Sequence, residues 1–257
     1  MKTIIITGAT GAMGWEVAKI MIHRGNTVIA TCRNEEKAQK LAAQLSPEEL
    51  QQLQWMTLNI AERQSIADFV ERIAALQTPI DMLFNNAGTL PGQFSVNSEG
   101  MEMTYATNYW GTRQLTEQLL PYMAPQGSIV FTSSLSCYFS NRKRCFEPFK
   151  GPNYRPLFVY ANTKMALTLY AQELAKQQPQ LHINCTDPGI VDTPLFHMGK
   201  WYDDIASKGL SLFAKRPAQG VVPAVRALDT TLTGHLFRGA SRNTYSNNYG
   251  YPRMLRP

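Results

Sequence analysis

The chain has 257 residues, with 25 Lys and Arg against 19 Asp and Glu and a formal charge of +6. At 44% hydrophobic and 17% charged, it is neither collagen-like, coiled-coil nor wholly disordered. No run of about 18 uncharged apolar residues occurs, so no membrane span is expected. The length suits one open α/β sheet that uses the whole chain. The apolar run after Met1 is too short for a signal-peptide core and leads into a glycine loop, which predicts a cytoplasmic protein. Four cysteines without a CxxC pair, and four scattered histidines, predict reduced thiols and no metal site.

Strand and helix signals alternate from the start. Ile4 to Thr7 is a β-branched run of the kind found in buried parallel strands. Gly14 to His23 follows as a helix with Val17, Ile20 and Met21 on its apolar stripe, ended by Gly25. Thr27 to Thr31 is the second strand and Glu35 to Leu45 a charged surface helix. Ser46-Pro47-Glu48-Glu49 has the residues of a new helix start. Strands are then expected at Trp55–Leu58, Ile80–Phe84, Ser128–Thr132 and Leu181–Cys185, with helices over 65–76, 101–120 and 157–177. The strand signal over His235–Arg238 is the weakest. This order predicts a three-layer αβα fold of Rossmann type: a single domain over 1–257 with a doubly wound, mostly parallel sheet.

Two segments break the rhythm. Residues 136–156 form an insert with Arg142, Lys143, Arg144, Lys150 and Arg155 against the single acid Glu147. A solvated surface loop is the first reading of it. A site for an acidic substrate comes next, and peripheral contact with an anionic membrane after that. Nucleic-acid binding ranks last, because no zinc finger, GxxG clamp or recognition helix is evident. Residues 194–216 are rich in aromatic and apolar side chains, including Phe196, Trp201, Tyr202 and Phe213, and are expected to form a substrate lid. The C-terminus is rich in arginine.

Thr7-Gly8-Ala9-Thr10-Gly11-Ala12-Met13-Gly14 sits between a strand and a helix. Glycines there let the backbone approach a pyrophosphate, and the helix N-terminus supplies amide donors and a positive dipole. Thr10 and Met13 fall in the same turn. An acid at the end of strand two would hold the ribose hydroxyls of NAD. The chain has Thr31-Cys32-Arg33-Asn34 instead, and Arg33 suits a 2′-phosphate, which favours NADP over NAD.

These motifs, with Asn85-Asn86-Ala87-Gly88, Asn108 with Gly111, Ser133-Ser134, Tyr160-Ala161-Asn162-Thr163-Lys164 and Pro188-Gly189 followed by Thr193, occur in one order and spacing. Together they resemble the short-chain dehydrogenase/reductase family of classical type, over residues 3 to about 195. Ala30-Thr31-Cys32-Arg33-Asn34 and the long gap between Ser134 and Tyr160 are most similar to its retinol-dehydrogenase-like branch. The resemblance implies an enzyme that moves hydride between nicotinamide and a carbonyl or alcohol; Arg33 points to NADP as its cofactor, and the lid at 194–216 to an apolar or aromatic substrate. The resemblance also implies that Asn86, Ala87 and Gly88 line the ribose path, and that Pro188, Gly189, Ile190 and Thr193 lie along the carboxamide. Asn59 and Ile60 would meet the adenine. Lys164 would also bind the nicotinamide ribose, and Asn108 would hold a water joining Lys164 to solvent. A dimer or tetramer through the helices at 101–120 and 157–177 is likewise implied.

The chemistry is readable from the residues. Tyr160 and Lys164 are four apart and share a helix face. Tyrosine, with an ordinary pKa of about 10, is a poor base at neutral pH, and a lysine cation favours its phenolate. Tyr160 then serves as general acid/base, and Ser134 at a strand end can hold the same substrate oxygen. Three features depart from the family pattern, one being that the insert at 136–156 is unusually basic for a substrate-facing loop. Ala12 follows an early Gly11, giving the Gly8-Gly11-Gly14 spacing of the extended branch, and Asn59 replaces an aspartate. The alternatives of another class are a non-catalytic NADP-binding sensor on the same scaffold and a nucleotide-sugar epimerase-like enzyme.

Overall fold

The computed structural model describes residues 1–192, 214–239 and the backbone of 245–246. Within these, seven strands run parallel in the order β3-β2-β1-β4-β5-β6-β7. They are β1 (Thr3–Ile6), β2 (Thr27–Cys32), β3 (Leu53–Thr57), β4 (Ile80–Asn85), β5 (Met123–Thr132), β6 (His182–Asp187) and β7 (Leu236–Arg238). An antiparallel β8 (Tyr245–Ser246) closes the β7 edge.

Side chains of a strand alternate between the two faces of the sheet. Ile4 and Ile6 therefore pack on one side, with α1 (Ala12–His23) and the helices Pro217–Gly220 and Val222–Leu228. Ile5 packs on the other, with α4 (Arg63–Ala75), α6 (Thr112–Leu119) and α7 (Pro156–Gln177). Phe69, Phe84 and Phe131 are fully buried, each contributing about 1.5–3 kcal/mol of apolar burial. The sheet is doubly wound, and the chain reverses its direction of travel between β1 and β4. Open α/β sheets form their ligand crevice at that switch point, beyond the strands' C-terminal ends.

The elements differ from the sequence reading in three places. α2 (Glu35–Ala42) is capped by the Asn34 side chain and stops short of Leu45. The expected helix start at Ser46 is a complete capping box on α3 (Pro47–Leu50), with Ser46 and Glu49 bonding each other's backbone amides. The helix expected over 101–120 is composite: α5 (Met103–Tyr105), a π-helical stretch Ala106–Gly111, then α6. The wide turns let Gly111 press on the loop after β3, where an added Cβ would lie 1.7 Å from the Ile60 carbonyl oxygen. Strand β5 begins at Met123 rather than Ser128, with a shift of register against β4 between the two.

Candidate active site

The C-terminal end of β1 delivers Thr7 and Gly8. The Thr7 hydroxyl accepts from the Asn86 and Ala87 amides, each at 2.9 Å, and donates to the Phe84 carbonyl at 3.3 Å. The Asn86 carboxamide donates to the Thr7 and Gly8 carbonyls at 3.0 and 3.3 Å. These bonds tie the ends of β1 and β4 together. Gly8 has φ +64°, and a Cβ there would come 2.9 Å from Ala87 Cα, so this turn requires glycine. Its amide donates to the Thr31 hydroxyl at 3.2 Å. At Gly14 a Cβ would meet the Gly8 carbonyl oxygen at 2.5 Å, so α1 lies directly on the turn. Gly11 caps α1 without a side chain, which leaves the first amides of the helix to an anion.

Three successive residues at the end of β5 hold one face of α7. The Lys164 ammonium donates to the Thr132 carbonyl at 2.8 Å. The Ser133 hydroxyl bonds the Thr168 hydroxyl at 2.7 Å, and the Ser134 side chain lies near enough to Tyr160 to favour its phenolate. Tyr160, Lys164 and Thr168 are spaced by four and stack on one helix face. Thr168 gives its only proton to the Lys164 carbonyl at 2.8 Å, so Ser133 is the donor to Thr168. Ser134 also caps the short 3₁₀ helix Leu135–Phe139, which opens the basic insert.

Asn108 lies in the π-helical stretch. Its Oδ1 accepts from the Thr89 amide at 2.7 Å, and its Nδ2 donates to the Thr89 carbonyl and the Thr163 hydroxyl. A Cβ on Gly88 would stand 3.5 Å from both Asn108 Oδ1 and Lys164 Nζ, so these groups meet at one point.

Burial dominates the electrostatics. It lifts the Tyr160 phenol above the ordinary tyrosine value of 10, with the nearby Ser134 side chain working against it. It lowers the Lys164 ammonium to about 8. The sequence reading gave the lysine the deciding influence on the phenol. In the protein without nucleotide, desolvation outweighs that influence.

A cleft of about 610 Å³ runs along this edge. Of the residues expected to bind the cofactor, Gly8, Thr10, Gly11, Met13, Arg33, Asn59, Ile60, Asn86, Ala87, Gly88, Pro188 and Gly189 line it. So do Ser134, Tyr160 and Lys164. Gly14 and Asn108 support the wall from behind, and the half-exposed Ile190 is not part of the lining. Asn59 Oδ1 accepts from the Ala61 amide at 3.3 Å, so that turn already uses the oxygen expected to face adenine. Thr193 and most of the 194–216 lid lie outside the described residues, as does most of the arginine-rich C-terminus. Sequence reasoning missed Thr7, Thr31 and Thr168, whose hydroxyls hold the site from behind. All four cysteines are free and buried.

The insert is anchored to the same framework. The Tyr154 hydroxyl donates to the buried Glu102 carboxylate at 2.9 Å and lies 3.0 Å from the Thr104 hydroxyl. The Tyr105 hydroxyl donates to the Phe146 carbonyl at 2.6 Å, and Asn162 Oδ1 accepts from the Asn141 amide at 2.8 Å. Tyr154 thus serves as a strut for the insert, and Tyr160 is the tyrosine that faces the cleft.

The family profile described as short chain dehydrogenase matches residues 2–201. Polyprenol dehydrogenase of Danio rerio is 30% identical over 99% of this chain and 83% of its own. Retinol dehydrogenase 14 of Mus musculus is 28% identical over 87% of this chain and 72% of its own. A short chain dehydrogenase from Shigella flexneri complexed with NADP superposes with a TM-score of 0.73, at 26% identity, covering 92% of this chain and 96% of that one. Polyprenol and retinol dehydrogenases match about equally, so no single branch stands out.

Proposed function

The chain belongs to the short chain dehydrogenase family, and from that premise we propose that it is an NADP-linked oxidoreductase acting on an apolar carbonyl or its alcohol. One observation carries the reading: Ser134, Tyr160 and Lys164 line the same cleft as the glycine turn at the head of α1. The residues fit a dinucleotide by two features, the uncapped helix start and the close backbone approach at Gly8 and Gly14. When bound, the nicotinamide supplies the hydride. Arg33, exposed at the cleft and without an ion pair among the described residues, takes the 2′-phosphate.

Tyr160 gives its proton to the substrate oxygen in reduction and takes it back in oxidation. Its raised pKa keeps it protonated, which suits the reductive direction. Ser134 donates to the same oxygen as charge develops on it. Lys164 holds a positive charge below the phenol and binds the ribose, while Asn108 positions the Thr89 backbone and α7. The retinol-dehydrogenase-like branch and relatives named for polyprenol and retinol favour a long apolar alcohol or carbonyl. The chain works as one domain, with copies pairing across the composite helix Met103–Leu119 and α7, where Trp110, Leu169 and Tyr170 are half-buried.

The test is a titration with NADPH and NADH, followed by a carbonyl screen read by NADPH oxidation. We expect NADPH to bind more tightly, and Tyr160→Phe to lower kcat by about 100-fold or more on any confirmed substrate. Full turnover by Tyr160→Phe, with cofactor binding intact, refutes the acid/base assignment.

A further inference from the structure

Apart from Met1, ten large hydrophobic side chains among the described residues are exposed. Five of them fall between 135 and 158: Leu135, Phe139, Phe146, Leu157 and Phe158. Phe139 is 79% exposed and Leu157 56%. The same stretch holds Arg142, Lys143, Arg144, Lys150 and Arg155 against Glu147 alone. None of these five cations makes an ion pair among the described residues. A solvated loop would turn its aromatics inward, and an anion-binding pocket would not need them outside. Apolar rings interleaved with uncompensated cations fit the interface of an anionic bilayer, where rings enter the headgroup layer and cations meet lipid phosphates.

We propose that the insert at 136–156, with the head of α7, is a docking surface for an anionic phospholipid membrane. The insert is built to hold a fixed orientation. Tyr154 pins it to Glu102, Tyr105 to the Phe146 carbonyl, and Asn162 to the Asn141 amide, two residues past Tyr160. The surface also leads to the cleft. The 3₁₀ helix Leu135–Phe139 starts at Ser134, which lines the cleft, and ends at Phe139. Five residues of 3₁₀ helix rise about 10 Å, so a bilayer seated on Phe139 lies about that far from the Ser134 hydroxyl. A long apolar alcohol or carbonyl then spans that distance to Tyr160 with its tail still in the lipid. The identity of that substrate rests on the proposed oxidoreductase reading; the docking itself does not.

The test is co-sedimentation of the full chain with vesicles of phosphatidylcholine and phosphatidylserine, against vesicles of phosphatidylcholine alone. Binding is expected only to the phosphatidylserine vesicles, and it should weaken in high salt. The triple variant Arg142→Glu, Lys143→Glu, Arg144→Glu should lose about 100-fold in affinity, and Phe139→Ser about tenfold. NADPH affinity, measured on the same variants, should not change, which separates lost docking from lost folding. Equal sedimentation of wild type and variants overturns the proposal. So does an absence of sedimentation, including the case where light scattering shows a dimer that Phe139→Ser dissociates. Activity on a water-soluble carbonyl is assayed separately. If it is absent while vesicle binding is normal, the oxidoreductase reading fails and the docking surface stands.

Discussion

Lys164 offers a test of the site's electrostatics that needs neither substrate nor cofactor. Burial lowers its pKa to about 8 from an ordinary 10.5. Between these two values the unfolded chain binds more protons than the folded one, so stability rises with pH across that window. Below the folded value both states carry the ammonium, and the slope disappears. Integrating the two pKa values between about pH 7.5 and about pH 9.5 gives a gain of about 2 kcal/mol. Tyr160 acts with the opposite sign, because its raised pKa favours the folded state until the unfolded phenol ionises near 10. The interval below 10 therefore excludes Tyr160, but the four buried thiols, raised above their ordinary value of about 9, titrate within it and lower stability as pH rises. Urea unfolding of the nucleotide-free protein and of Lys164→Met, at about pH 7.5, 8.5 and 9.5 under reducing conditions, measures the effect. Taking the difference between the two proteins cancels the groups that do not interact with Lys164, and making both in a Cys137→Ala, Cys185→Ala background removes the two thiols that do. That difference should move by about 2 kcal/mol in favour of the wild type as pH rises. A flat difference would mean that the ammonium is solvated in the folded state, and the account of a desolvated cation beneath Tyr160 would be wrong.

Other consequences are simpler to measure. Arg33→Ala should weaken NADPH binding by about 10- to 100-fold and leave NADH unchanged by fluorescence titration, since only the 2′-phosphate is lost. An unaltered preference would place the phosphate elsewhere. Gly111→Ala forces a methyl against the Ile60 carbonyl oxygen and should cost about 1–3 kcal/mol or more in urea unfolding. Wild-type stability for that variant would show that the π-helical stretch can move away from the loop after β3.

The parts of this fold that the sequence shows are those with a strong local period. Strands such as Ile4–Ile6 and Thr27–Thr31 are apolar on both faces because helices cover both faces of the sheet, so they read as short buried runs. The composite helix was not legible, because a π-helical turn leaves the apolar spacing almost unchanged. Asn108 was the only local sign of it, as a poor helix former inside a buried helix. The start of β5 was hidden by Pro125 and Gly127, which read as a turn. The motif residues Gly8, Ser134, Tyr160 and Lys164 were legible because glycine turns and an i,i+4 pair leave a pattern in the chain. Thr7, Thr31 and Thr168 left none. A threonine that holds a site by its hydroxyl has the same propensity and spacing as one that fills a strand or a helix.

Thr168 shows what that blindness conceals. Its hydroxyl accepts from Ser133 and donates to the Lys164 carbonyl, so it joins the end of β5 to α7 one turn beyond the lysine. Thr132, just before Ser133, holds Lys164 in the same way, and Ser134, just after it, stands beside Tyr160. If these contacts form one clamp, Thr168 is a positioning residue although it lies outside the cleft lining. Thr168→Val keeps nearly the same volume but removes both bonds, leaving the Ser133 hydroxyl with Cys137 Sγ at 3.5 Å. A stability loss of about 1–3 kcal/mol follows for any such buried pair and proves nothing about positioning. The informative readouts are kcat, which should fall while NADPH affinity holds, and the pH profile of kcat, which should shift as Lys164 and Tyr160 change their distance from the strand end. Thr168→Ser keeps the hydroxyl and should recover both. If Thr168→Val loses stability alone, with kcat and its pH profile unchanged, then the Thr132–Lys164 bond and the packing around Tyr160 hold the reacting groups without it.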